Sequence, residues 1–249
     1  MSVVTRHLAG LLPVLPLAPL LLWQGVAVRR KALRLQPAAG RGGLCGTGEP
    51  RYRMVGLGDS IIAGVGVERQ TQSLLGRTAA HLHAATGQAI AWRARGFSGL
   101  TLRDVLDRLL PGAPAAQIYL ISAGVNDTIA RTQTDLFANQ LATLSDRLSE
   151  RSPGCRIVFA GIPSIGSFPA LPWPLSQYLD HYGRRLQAAA CSAAAERPAL
   201  TCFEFPARLD PGGFSRDGFH PGAAGCDWWG REIAALLSGC PTAAPSIAV

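Results

Sequence analysis

Short apolar runs of six or seven residues recur along the chain at 53–58, 89–95, 117–123, 156–162 and 200–205. Runs of this length, bounded by glycine and small polar residues, predict buried strands. Between them, apolar positions return every three or four residues at 71–86, 101–110, 134–151 and 175–196, and again at 222–238, which predicts helices. Strands alternating with helices imply βαβ units and a five-stranded parallel sheet covered on both faces, an α/β fold. The last helix carries Trp228, Trp229, Ile233, Leu236 and Leu237 at a spacing suited to docking on the sheet. Two adjacent tryptophans cannot both face inward, so one is expected at the domain edge, against a loop or a lipid surface.

The ends of the chain read differently. Residues 8–28 are apolar apart from Gln24, with Arg6 before them and Arg29, Arg30 and Lys31 after. Twenty-one residues suffice to span a bilayer, and Pro13, Pro16 and Pro19 are tolerated there as kinks. Residues 1–36 are therefore expected to attach the protein to a membrane, the alternatives being a cleaved export signal or a loosely attached amphipathic tail. The basic cluster following the apolar run places the rest of the chain on the cytoplasmic side by the positive-inside rule; an exported or periplasmic domain is the alternative. Residues 37–50, rich in glycine and alanine, predict a linker; 51–240 form the folded domain and 241–249 a flexible tail.

Charge narrows the partners. Residues 1–53 hold eight basic and one acidic side chain, whereas residues 54–249 hold sixteen and fifteen. The net charge of +8 thus belongs to the N-terminal region, and a near-neutral domain lacks the basic face that nucleic-acid binding needs. Six cysteines (Cys45, Cys155, Cys191, Cys202, Cys226, Cys240) form no Cys-x-x-Cys pair, which leaves either three disulfides or buried thiols. His81 and His83 point to different sides of a predicted helix, so no metal site and no cofactor are expected.

The chemistry lies at the strand ends. Gly58-Asp59-Ser60 follows the first strand, and Asp217-Gly218-Phe219-His220 precedes the last helix. A serine hydroxyl is a weak nucleophile until an imidazole takes its proton, and a nearby carboxylate holds that imidazole in one tautomer. Ser60, His220 and Asp217 supply these three groups. Attack on an ester carbonyl also creates an oxyanion that needs preorganised donors. The backbone N–H groups of Ser60 and Gly96 and the side-chain amide of Asn126 are candidates, each at a strand-to-helix turn. Taken singly, Gly96 also fits an ordinary turn and Asn126 a helix cap.

These four blocks (Gly-Asp-Ser at 58–60, the glycine at 96, Gly-Val-Asn-Asp at 124–127 and Asp-Gly-Phe-His at 217–220) resemble those of the SGNH, or GDSL-type, hydrolases across about residues 51–238. Ile61 stands where leucine is common in that family, a change that touches packing and not chemistry. The resemblance implies a flavodoxin-like three-layer sandwich, with Ser60 as nucleophile and oxyanion donor, Gly96 and Asn126 as further donors, His220 as base and Asp217 as its orienter. It implies a serine esterase or lipase acting on small or lipid acyl esters, or alternatively an acyltransferase with the same triad.

Other classes fit less well. Gly56-Leu57-Gly58 and Gly64-Val65-Gly66 both lack the third glycine of a dinucleotide fingerprint, and no Gly-x-Ser-x-Gly nucleophile elbow occurs. A non-catalytic membrane-attached scaffold would not need Ser60, Asp217 and His220 together. The proline-rich stretch after the fourth strand offers Ile165, Phe168, Leu171 and Trp173 as an acyl-binding wall, or as cover for the core.

Overall fold

The computed structural model describes residues 15–239. A six-stranded sheet runs in the order β1-β3-β2-β4-β5-β6, formed by Gly42–Cys45 (β1), Tyr52–Gly58 (β2), Ile90–Gly96 (β3), Ile118–Ser122 (β4), Arg156–Phe159 (β5) and Leu200–Cys202 (β6). Strands β2 to β6 are mutually parallel, as expected; β1 is antiparallel to β3 and makes the sheet mixed. The five-strand expectation is therefore corrected to six.

The added strand lies within the glycine-rich stretch read as a linker. A side chain on Gly42 would place its Cβ 2.4 Å from Trp92 O, and one on Gly43 would meet the Trp92 indole at 2.9 Å. Only glycines let this edge strand lie across Trp92, and without side chains they carry no alternating signal. Ala38 is buried, and Ala39 bridges to Arg69, so residues on both sides of the strand are held too.

Among the described residues, seven helices accompany the sheet: α1 (Ala18–Lys31), α2 (Leu74–Thr86), α3 (Leu102–Asp104, running into a wider turn over Val105–Leu109), α4 (Val125–Ala130), α5 (Thr134–Arg151), α6 (Leu175–Ala195) and α7 (Ala223–Ser238). Period-two alternation divides the sheet's side chains into two cores. Val55, Leu57, Tyr119 and Ile121 face α3, α5 and α6, whereas Met54, Ile118, Leu120 and Val158 face α2 and α7. The result is a three-layer sandwich. Helix α4 was not expected; its six residues follow Gly124 and include Asn126 and Asp127, too short and polar for an apolar period.

The tryptophan pair divides as predicted. Trp229 is buried, donating from Nε1 to Ala160 O at 3.1 Å, while Trp228 is half-buried against Phe203 and Phe205. The partner of the outer indole is protein. Asp227 beside them accepts from Arg77 Nε at 2.6 Å and lies 2.8 Å from His81 Nε2, clamping α7 to α2.

The cysteines follow neither uniform pattern. Cys191 and Cys202 form a disulfide between α6 and β6, with Cα atoms 5.3 Å apart, whereas Cys45, Cys155 and Cys226 carry free thiols. Burial pushes the Cys226 thiol up to about 12, so it stays protonated and inert. Residues 1–14 and 240–249, which include Cys240, the expected C-terminal tail and the first part of the expected membrane segment, lie outside the described residues. No helix among the described residues is long and apolar enough to cross a membrane.

Candidate active site

Strand order reverses at β2, whose neighbours β3 and β4 lie on opposite sides, and the crevice at such a switch point is where open α/β sheets bind ligands. Ser60 occupies that place. The turn carrying it is tied from several sides: Asp59 N donates to Ser122 O at 3.1 Å, Ala63 N to Asp59 O at 3.0 Å and Val65 N to Ser60 O at 2.9 Å.

A tight loop after β6 brings the other two groups. Ser215 N donates to His220 O at 2.8 Å, and Gly218 N to Ser215 O at 2.9 Å, closing the loop over Asp217. Gly218 has φ +67°, and a Cβ there would stand 2.9 Å from Ala170 N, so both conformation and space call for glycine. The Asp217 Oδ1 atom accepts from Ser215 Oγ at 2.8 Å, Phe219 N at 2.9 Å and His220 N at 3.0 Å. Its Oδ2 lies 2.6 Å from His220 Nδ1. Burial pushes the carboxyl up, but these hydrogen bonds, led by that from the imidazole, outweigh it and hold Asp217 well below the usual carboxylate range. An ionised Asp217 fixes the proton on Nδ1, leaving Nε2 to accept from Ser60 Oγ at 2.9 Å. The unbroken chain from Ser60 through His220 to Asp217 is the arrangement that turns a hydroxyl into a nucleophile.

The proposed oxyanion donors approach from the flanking strands. Gly96 pairs with Gly58 at the ends of β3 and β2. A Cβ on Gly96 would lie 2.5 Å from Ala63 N and 2.8 Å from Asp59 O. Glycine is thus required so that β3 can pass under the Ser60 turn, a constraint from the protein's own backbone. Asn126 is not a helix cap, since Gly124 occupies that position with φ +125°. Its Nδ2 donates to Leu100 O at 2.9 Å, which uses one of two amide hydrogens and leaves the other free.

Two carboxylates in the blocks, Asp59 and Asp127, hold this arrangement, a role the sequence does not reveal. Asp59 is buried and accepts from Ile61 N at 3.0 Å and Ser122 Oγ at 3.2 Å; burial raises its carboxyl to about 6 despite those bonds. Asp127, also buried, accepts from Leu102 N at 3.0 Å and Thr132 Oγ1 at 3.2 Å, tying α4 to the start of α3. Burial raises its carboxyl too. Their signal in the sequence was adjacency to Ser60 and Asn126, but only tertiary partners reveal what they do. Ile61 packs in the core on the α2 face of the sheet.

The proline-rich stretch is divided. Ile165 and Phe168 are buried in the core, and Leu171 is half-buried against it, whereas Trp173 is exposed. Phe168 meets Phe214 and Phe219 edge-on, with centroids 5.4 and 6.4 Å away, and so braces the loop that holds Asp217 and His220.

With the site in view, the chain's relatives can be placed. The model of the GDSL-like lipase/acylhydrolase family matches residues 57–228. The chain belongs to that family, the SGNH carboxylic ester hydrolases. No curated protein matches the sequence. Among solved structures, it resembles a family two carbohydrate esterase from Clostridium thermocellum in complex with cellohexaose, with TM-score 0.58 and 17% identity over 79% of this chain and 67% of that one. It resembles a lipase from a goat rumen metagenome, with TM-score 0.54 and 15% identity over 75% and 97% of the two chains. It also resembles an acetylxylan esterase from Geobacillus stearothermophilus, with TM-score 0.52 and 16% identity over 77% and 96%. At these identities the likeness is one of fold.

Proposed function

We propose that the protein cleaves acyl esters through a covalent acyl-enzyme on Ser60. The observation that carries this reading is the hydrogen-bonded chain Ser60–His220–Asp217. Ser60 Oγ attacks the ester carbonyl as His220 Nε2 takes its proton, and the carbonyl oxygen becomes an oxyanion facing Ser60 N–H, Gly96 N–H and Asn126 Nδ2. The bond to the alcohol oxygen then breaks, and His220 returns the proton to that oxygen. Water, deprotonated by His220, attacks the acyl-serine and releases the acid, restoring the serine hydroxyl. Asp217 remains ionised throughout and steadies the imidazolium.

Ser60 and His220 are each only partly covered, so small aryl esters should reach them. The fold-mates named as acetylxylan esterase and lipase are consistent with either acetyl or lipid acyl groups, and Trp173 is the one member of the expected acyl wall left open to solvent. Whether water or an alcohol accepts the acyl group is read from the products. Incubation with a fluorophosphonate probe should modify one serine, Ser60, as located by peptide mass spectrometry, and Ser60→Ala should abolish turnover of p-nitrophenyl acetate. Labelling elsewhere, or turnover unaffected by that substitution, would overturn the assignment.

For location, the disulfide outweighs the charge asymmetry in our reading. A structural Cys191–Cys202 bond favours an oxidising compartment, hence a catalytic domain on the exported side of a membrane.

A further inference from the structure

We infer that α1 and Trp173 form a lipid-binding rim that seats the catalytic domain on an anionic membrane surface. Helix α1 is joined to the domain by its one polar interior residue. Gln24, buried, donates from Nε2 to Trp173 O at 2.8 Å and accepts from Leu175 N at 3.2 Å. Leu21, one turn before it on the same face, is buried as well. Leu22, Trp23 and Val26 lie on the opposite face and are 71%, 67% and 51% exposed, and Trp173 beside the docking point is 75% exposed.

Six of the twelve large apolar side chains exposed among the described residues fall within 17–33, and Trp173 is a seventh, so the exposure is concentrated. Such a patch on an otherwise ordinary surface marks an interaction site. The adjoining charge identifies the occupant. Arg29, Arg30 and Lys31 form the last turn of α1, Arg34 follows, and no acidic residue precedes Glu49 in the chain. Exposed tryptophan and aliphatic side chains ending in a basic cluster suit an interface of anionic lipid headgroups and acyl chains. The fourteen residues of α1 span only about 21 Å, short of the roughly 30 Å of a bilayer core, and one face is committed to the domain. The helix therefore lies along the surface, where the positive-inside rule for spanning segments does not apply.

The rim leads to the chemistry. Three residues before the docking carbonyl, Ala170 N donates to Gly218 O at 3.3 Å, in the loop holding Asp217 and His220. Seating α1 and Trp173 brings this edge of the active site to the lipid surface, and an ester held at that interface is the matching substrate class. The substrate clause rests on the hydrolase reading; the binding surface does not.

Sedimentation with vesicles separates the two, using the full chain carrying Ser60→Ala so that turnover plays no part. Binding should be at least about tenfold stronger to phosphatidylcholine vesicles containing phosphatidylglycerol than to phosphatidylcholine alone. Replacing Leu22, Trp23 and Val26 together by serine should weaken it at least about tenfold. Changing Arg29, Arg30 and Lys31 to glutamine should erase the preference for anionic vesicles. With Ser60 intact, the triple-serine chain should turn over soluble p-nitrophenyl acetate normally but a vesicle-borne ester more slowly. No vesicle binding, binding indifferent to the triple replacement, or a concentration-dependent dimer abolished by it would overturn the proposal. Vesicle binding as expected with no ester cleaved would instead count against the hydrolase reading and leave the surface standing.

Discussion

Asp59 and Ser122 are joined twice: Asp59 N donates to Ser122 O at 3.1 Å, and Ser122 Oγ donates to Asp59 Oδ1 at 3.2 Å. This pair locks the ends of β2 and β4 together next to Ser60. It also buries a carboxyl that burial raises from 3.8 to about 6. Because the folded state binds the proton more tightly, stability is greatest below the unfolded value and declines as pH rises from about 4 to about 6. Asp59→Asn keeps an acceptor for Ile61 N and Ser122 Oγ but no charge. Urea unfolding should show the variant more stable than the parent by roughly 1–3 kcal/mol at pH 7.5, with the difference shrinking towards pH 4.

Asp217 has the opposite sign. Its folded value is depressed, so its contribution is present above the ordinary carboxylate range and fades only as pH falls through the folded value in strong acid. Asp217→Asn can still accept from Ser215 Oγ, Phe219 N and His220 N but no longer fixes the proton on Nδ1. Turnover of p-nitrophenyl acetate should fall by about 10³–10⁴ at neutral pH, with the circular dichroism spectrum unchanged.

For Asn126, kinetics separate chemistry from structure. If the free amide hydrogen acts on charge that develops only in the transition state, Asn126→Ala should lower kcat by about 10²–10³ with little change in KM. Loss of the Leu100 O bond alone should cost about 1 kcal/mol in denaturant unfolding. A variant with the stability loss but normal kcat would make Asn126 a strut for the Gly96 turn.

Gly96→Ala tests the close passage of β3 under the nucleophile turn. A methyl group 2.5 Å from Ala63 N must push one backbone segment aside. The variant should react with the fluorophosphonate probe at least about tenfold more slowly and lose about 1–3 kcal/mol of stability, the usual cost of overpacking. Unaltered labelling would show that the turn can shift without consequence.

The disulfide is tested by mass and by topology. Alkylation under denaturing conditions should leave Cys191 and Cys202 unmodified until reductant is added, and Cys191→Ser should destabilise the domain by about 2–3 kcal/mol for an eleven-residue separation. A C-terminal fusion to an alkaline phosphatase active only outside the cytoplasm should show strong activity. An inactive fusion, or both thiols alkylated without reductant, would return the domain to the cytoplasmic side.

What the sequence determined by itself was whatever is encoded locally. Five parallel strands and the longer helices were legible because each repeats a hydrophobic period within a few residues; Ser60, Gly96 and Asn126 were legible because each sits in a short block after a strand, and Asp217 and His220 because they share a short block just before the last helix. Tertiary structure decided what depends on contacts between distant segments. Gly42 and Gly43 became a strand because Trp92, some fifty residues on, leaves room only for glycine. Ile165 and Phe168 fell to the core although Trp173, in the same apolar stretch, stayed open, because packing against Phe214 and Phe219 is invisible in a hydropathy pattern. Gln24, a lone polar residue in an apolar run, found its partners at Trp173 and Leu175. Composition records which side chains are apolar or charged, but a buried hydrogen bond or a sub-van-der-Waals approach exists only once the chain has closed on itself.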